Sequence, residues 1–179
     1  LPTILEAAVQ LGSAYEFLLP VAPTLDRSFL SNLIGSHKIT LVPDALPALW
    51  HARAGIVASG TATVEAAMMN LPFVMVYRVS ALTYRMGKPR VKVPRFAMVN
   101  LIAEEEVVSE LVQHDFTAEK VVARVKEILP DGPARVRMLE GLARVKTRLH
   151  APKALSGAEI PPADRAAQII LSLQGLKVS

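Results

Sequence analysis

Between residues 15 and 77 short apolar runs alternate with stretches whose apolar residues recur every three or four positions, and this alternation restricts the fold more than any other feature. The runs at 15–20, 39–42, 55–58 and 73–77 read as strands, the last nearly all apolar, as in a strand covered on both faces. The pattern is helical near 2–12, ahead of the first run, and between the runs at 25–34, from after Asp44 to about Arg53, and at 61–70. Leu25, Phe29, Leu30, Leu33 and Ile34 share one helix face ahead of a stop at Gly35, and Pro72 bars the last helix from continuing. Such spacing predicts βαβ units, a parallel sheet with right-handed crossovers and a Rossmann-like α/β fold.

Beyond about residue 104 the pattern turns helical only. Thr117 caps a predicted helix with Val121, Val122, Val125, Ile128 and Leu129 on one face, and Pro130, Asp131 and Gly132 break it. Val136, Leu139, Leu142 and Leu149 mark a second helix. Residues 151–162 form a Pro-, Gly- and Ala-rich linker, and Pro162 opens a last helix with Ala166, Ile169, Ile170 and Leu173 inward. The expected organisation is a Rossmann-like domain over 1–112, followed by C-terminal helices over 113–179 that pack on it.

A chain of 179 residues that is 51% hydrophobic and 20% charged can bury a core and is not of disordered composition. The absence of cysteine excludes disulfides, zinc ribbons and thiolate catalysis, and fits a reducing compartment. No run approaches the roughly 20 apolar residues of a membrane span, and Leu1 opens no signal pattern. A cytoplasmic protein is expected. Because the sequence starts without Met, inside a helical pattern, we expect it to continue upstream. The net charge of +4 is unevenly spread, for no acid lies between Glu65 and Glu104 while Arg78, Arg85, Lys88, Arg90, Lys92 and Arg95 do. Ordinary solvated faces mix both signs, so this interval points to an anionic partner.

The segment Ile56-Val57-Ala58-Ser59-Gly60-Thr61-Ala62-Thr63-Val64-Glu65 runs from a buried strand through small residues into a helix. Free N–H groups and the positive end of the helix dipole converge at such a turn, which suits a phosphate. Gly60 permits close approach, the Ser59 and Thr61 hydroxyls add hydrogen bonds, and Glu65, one turn on, can accept from the hydroxyls of an attached sugar. A plain helix cap with an ordinary first-turn acid explains the same letters, and the turn alone does not choose between the two.

Tyr77, Arg78, Tyr84, Arg85, Pro94, Arg95 and Phe96 interleave rings and cations, a mixture suited to nucleic acid, a membrane surface or a phosphorylated ligand. With aromatics at 5% and no nucleic-acid-binding motif, the first is the weakest. Asn100, polar inside an apolar run, reads as a turn residue bonded to nearby backbone or as a ligand contact. His37, His51, His114 and His150 lack ligand spacing, so no metal site is expected, and Glu104, Glu105 and Glu106 read as a solvated helix start.

Three segments in order carry a resemblance: residues 58–67 around Ser59-Gly60-Thr61, then Tyr77-Arg78-Val79-Ser80 with Leu82-Thr83-Tyr84, then Val91-Lys92-Val93-Pro94 with Asn100-Leu101-Ile102-Ala103. Together they resemble the lipid A disaccharide synthase family of glycosyltransferases, closely over residues 1–112 and loosely through the tail. The resemblance implies the C-terminal half of a GT-B architecture, two Rossmann-like domains about a cleft. It implies inverting transfer of 2,3-diacylglucosamine from its UDP derivative to 2,3-diacylglucosamine 1-phosphate, with release of UDP, no metal and no cofactor. It places Ser59, Gly60 and Thr61 at the donor pyrophosphate, Glu65 at the ribose and Asn100 near the nucleotide or reacting centre. Arg78, Arg85 and Lys92 become cleft or anionic-lipid contacts at the inner face of the cytoplasmic membrane, and a homodimer is left open.

The sequence departs from the family pattern at Val99, where proline is usual, and at Glu104 and Glu105, where a Gly-Arg pair is usual. The family's Leu-Pro-Gly-Ser-Arg segment and acceptor domain, with the candidate catalytic carboxylates, would lie before Leu1. The competing readings are a peptidoglycan glucosaminyltransferase or 2-epimerase of similar architecture, and a non-catalytic basic nucleotide-binding module.

Overall fold

The computed structural model describes residues 1–80, 95–150 and 161–173. Helix α1 (Pro2–Leu11) begins on a proline whose missing N–H would have had no helical partner, and ends at Gly12 with φ of 93°. Strand β1 (Phe17–Pro20) follows, then α2 (Arg27–Ile34), whose cap Asp26 accepts from the Ser28 N–H. After β2 (Ile39–Val42), Asp44 caps α3 (Ala45–His51) by accepting from the Leu46 N–H. Next come β3 (Gly55–Ala58), α4 (Thr61–Met68), β4 (Phe73–Tyr77), α5 (Met98–Ala103) and β5 (Glu110–Val112). A 3-10 turn (Gln113–Asp115) leads to α6 (Ala118–Ile128), then α7 (Pro133–Leu149) and α8 (Pro162–Leu173).

The described strands form two parallel sheets rather than the single sheet expected, β1-β2 and β3-β4-β5. Phe17 pairs with Ile39 in the first, while Gly55 pairs with Phe73 and Tyr77 with Val112 in the second. An apolar period tells which side chains face inward, but not which backbone edge finds a partner. Here β1 has only four residues, exposes Leu18 and ends on Pro20, which has no N–H to donate.

Strand β4 is the centre of the core, with Phe73, Val74 and Met75 fully buried between its two neighbours. Ala66 and Ala67 of α4, Val121 and Val125 of α6, and Leu142 and Val145 of α7 complete the same cluster, and α1 packs along α6. The apolar face predicted for α2 is divided: Leu30 and Ile34 are buried, while Leu25, Phe29 and Leu33 face solvent.

Two compact units result, Leu1–Val145 and Lys146–Ser179. Helix α6 and the buried residues of α7 fall in the first unit, together with the strands. In the second unit Ala166, Ile169 and Ile170 of α8 are exposed, against the inward face expected. The acidic run also differs from its reading, because Glu104 in the left-handed conformation, φ 61°, ends α5 where a helix start was expected.

Candidate functional site

Parallel sheets offer ligands the carboxyl ends of their strands, where loops leave the sheet and helices begin. At that edge β3 runs into Ser59, Gly60 and α4, β4 into Arg78, and β5 into Gln113. The β3–α4 turn is tight, because the Ser59 N–H prolongs the ladder to the Val76 carbonyl (3.0 Å) and Gly60 lies at φ 132°, ψ −161°. Nothing crowds a Cβ built on Gly60, yet that backbone conformation suits glycine almost alone. Thr63, fully buried, donates its hydroxyl to the Gly60 carbonyl at 2.7 Å and holds the turn from within.

Helix α4 has no side-chain cap, and the Thr63 N–H turns back to the Gly60 carbonyl (3.1 Å), so the N–H groups of Thr61 and Ala62 are the ones without a partner among the described residues. Thr61 and Glu65, four residues apart and thus on one helix face, are both exposed and engage no side chain among the described residues. Ser59 is different. Its hydroxyl donates to the Phe96 carbonyl at 3.0 Å, so its proton is directed into the chain and its part in the turn is to shape it.

Asn100, expected near the nucleotide, is fully buried inside α5. Its Oδ1 accepts from the Val107 (2.8 Å) and Val108 (3.0 Å) N–H groups, and its Nδ2 donates to the Val108 carbonyl (2.8 Å) and to Glu110 (2.9 Å). With both ends of the amide occupied, the side chain is a scaffold joining α5 to β5, out of reach of a surface ligand. Glu110 went unnoticed in the sequence. Its carboxylate accepts from the Phe96 N–H at 2.8 Å and the Ala97 N–H at 2.9 Å as well as from Asn100. The available signal was a carboxylate within the β-rich run Val107-Val108-Ser109-Glu110-Leu111-Val112.

Arg78 is engaged by its own chain. The guanidinium lies 4.7 Å from the centre of the Phe116 ring and donates to the Phe116 carbonyl, the Gln113 carbonyl (3.4 Å) and the Thr3 hydroxyl (3.3 Å). Gln113, also missed, has φ of 53°, and its Nε2 donates to the Val79 carbonyl at 3.3 Å. Strain of that kind at a strand's carboxyl end is common beside functional sites. Arg85 and Lys92 lie outside the described residues. Among the described residues no three His, Asp or Glu side chains are grouped to hold a metal ion, and no helix is long and apolar enough to cross a membrane.

The family profile described as Lipid-A-disaccharide synthetase matches residues 1–150. The chain belongs to this family. It is 48% identical over 97% of its length to the lipid-A-disaccharide synthase of Koribacter versatilis, and spans 45% of that protein. It is similar to the synthases of Acidobacterium capsulatum (46% identity; 85% of this chain, 42% of the relative) and Myxococcus xanthus (37% identity; 97% and 45%). The chain therefore spans less than half the length of these relatives, matching their C-terminal part. The parallel α/β architecture agrees with the Rossmann-like C-terminal half of a GT-B glycosyltransferase.

Proposed function

We propose that this chain is the donor-binding half of an inverting glycosyltransferase that joins UDP-2,3-diacylglucosamine to 2,3-diacylglucosamine 1-phosphate, giving the lipid A disaccharide and UDP. The observation that carries the reading is the uncapped N-terminus of α4 at the carboxyl edge of the parallel sheet, with Thr61 and Glu65 exposed on one face beside Gly60. A diphosphate placed there meets free N–H groups, the Thr61 hydroxyl and the positive end of the helix dipole. Glu65 stands one turn further, where the ribose hydroxyls of a nucleoside diphosphate can donate to it. Ser59 and Asn100 support from within, the first by fixing the turn and the second by building α5.

The acceptor lipid, and the base that must take the proton of its attacking hydroxyl, belong in this reading to a part of the protein outside this sequence. Proton transfer by a positioned side chain contributes roughly 10² to 10⁴ in rate, so the chain alone should bind UDP without transferring sugar. Work at the inner face of the cytoplasmic membrane, with Arg85 and Lys92 toward anionic headgroups, is part of the same proposal.

Titration of the chain with UDP and with pyrophosphate, followed by backbone amide shifts, tests the site. Residues 58–65 should respond first to both. Glu65→Ala should weaken UDP roughly ten- to a hundredfold, the loss of a hydrogen bond to a charged acceptor, and leave pyrophosphate nearly unaffected. Shifts confined to α8, or equal losses for the two ligands, would sink the assignment.

A further inference from the structure

The turn that begins α4 is held by a closed circuit of hydrogen bonds that starts and ends on β4. Glu110 opens β5 and pairs with Met75 of β4. Its carboxylate takes the N–H groups of Phe96 and Ala97, the Phe96 carbonyl takes the Ser59 hydroxyl proton, and the Ser59 N–H returns to the Val76 carbonyl of β4. The Phe96 ring stacks against Tyr77 with centroids 6.0 Å apart, so ring, N–H and carbonyl of one residue are all engaged. At the centre of the circuit is a charge: three N–H donors, including the Asn100 amide, converge on the Glu110 carboxylate.

We propose that Glu110 is a positioning residue for the phosphate-facing turn, acting through Phe96 on Ser59. The proposal rests on the reading that this turn takes the diphosphate, and adds that the geometry of the turn is set from the far side of the sheet. A carboxylate is required because all three partners donate, and hydrogen bonds to an ionised acceptor are about twice as strong as neutral ones. A glutamine of the same shape offers one acceptor oxygen and turns an NH₂ group, itself a donor, toward a second donor. Releasing Phe96 frees the Ser59 hydroxyl, and the turn loses the anchor that aims its N–H groups.

Glu110→Gln is the deciding variant, compared with Ser59→Ala and the double mutant in the full chain. Without ligand, Glu110→Gln should move the amide signals of residues 59–62, across the sheet from the substitution. Unmoved signals there overturn the proposal whether or not UDP binds. With ligand, Glu110→Gln should weaken pyrophosphate and UDP by the same factor, on the order of tenfold, unlike Glu65→Ala. The double mutant should be no weaker than the weaker single mutant, and additive losses would show that Glu110 and Ser59 act independently. If wild-type chain binds neither ligand, the functional reading fails, while the ligand-free shifts still decide the circuit. Should Glu110→Gln not fold, Ser59→Ala reads the same path backwards. Shifts of the Ala97 amide and the Asn100 side-chain NH₂ are then expected, and silence at both refutes it.

Discussion

Arg78 stacks its guanidinium 4.7 Å from the centre of the Phe116 ring and donates to the carbonyl of that same residue. A cation expected to face a ligand or a lipid thus fastens the end of β4 to the segment leading into α6, with Thr3 of α1 as a third point. Arg78→Ala should lower stability by about 1–3 kcal/mol, mainly through the lost charged hydrogen bonds with a smaller cation–π share. Thermal unfolding would show it. Affinity for anionic vesicles should change little, and a large drop there at unaltered stability would return Arg78 to the surface role.

Asn100→Ala should be among the more damaging substitutions in the chain. It leaves the Val107 and Val108 N–H groups without their acceptor, and an unsatisfied buried donor costs about 1–3 kcal/mol. Glu65→Ala, at an exposed position, should leave the unfolding midpoint nearly unchanged. Comparing the two in denaturant separates scaffold from contact, and equal stabilities would contradict the hydrogen-bonding seen here.

Gly141 allows α7 to approach the segment after α5. A Cβ added there would lie 2.6 and 3.0 Å from the two methyls of Val107 and 3.3 Å from its Cβ, so no rotamer of valine clears it. Ala usually favours a helix over Gly by roughly 0.5–1 kcal/mol, but overpacking costs about 1–3 kcal/mol and should win. Gly141→Ala is expected to destabilise the chain, with partial recovery when Val107→Ala is added. A stabilised single mutant would mean that α7 shifts freely.

Acid should loosen both ends of α6, the turn before it at Asp115 and the junction with α7 at Asp131. The hydrogen bond from Arg53, then its charge, hold the Asp131 carboxyl below the usual aspartate range, and Lys120 does the same for Asp115. A carboxyl depressed in the folded state adds stability above its unfolded pKa and loses it as pH falls through the folded one. The contribution should therefore be complete near neutrality and fade below about pH 4. Asp131→Asn should flatten that part of the stability profile, and an unchanged slope would assign the acid response to other carboxyls.

Much of the fold was legible because burial imposes periods on the sequence. The run Phe73-Val74-Met75-Val76-Tyr77 could be little other than a strand covered on both faces, and Val121, Val122, Val125 and Ile128 of α6 could bury only as a helix face. The strand–turn–helix at Ser59, Gly60 and Thr61 was readable for a related reason, since small residues at a strand's end allow the close turn that larger ones obstruct. Strand β5 was not legible, because its three residues are too few for a period and Glu110 interrupts the apolar run around it.

By itself, then, the sequence determined the elements that carry their own pattern and the residues whose type requires a special backbone, Gly60 above all. Partner choice was left to the tertiary structure: which edges pair, that Ser59 spends its proton on Phe96, that Arg78 lies on Phe116, and that Asn100 and Glu110 meet ten positions apart. The physical reason is that a period is local, whereas a hydrogen bond between distant segments exists only after the chain has brought them together. Asn100 could satisfy its amide on ligand or on backbone with the same chemistry, and only the approach of α5 to the start of β5 decided between them.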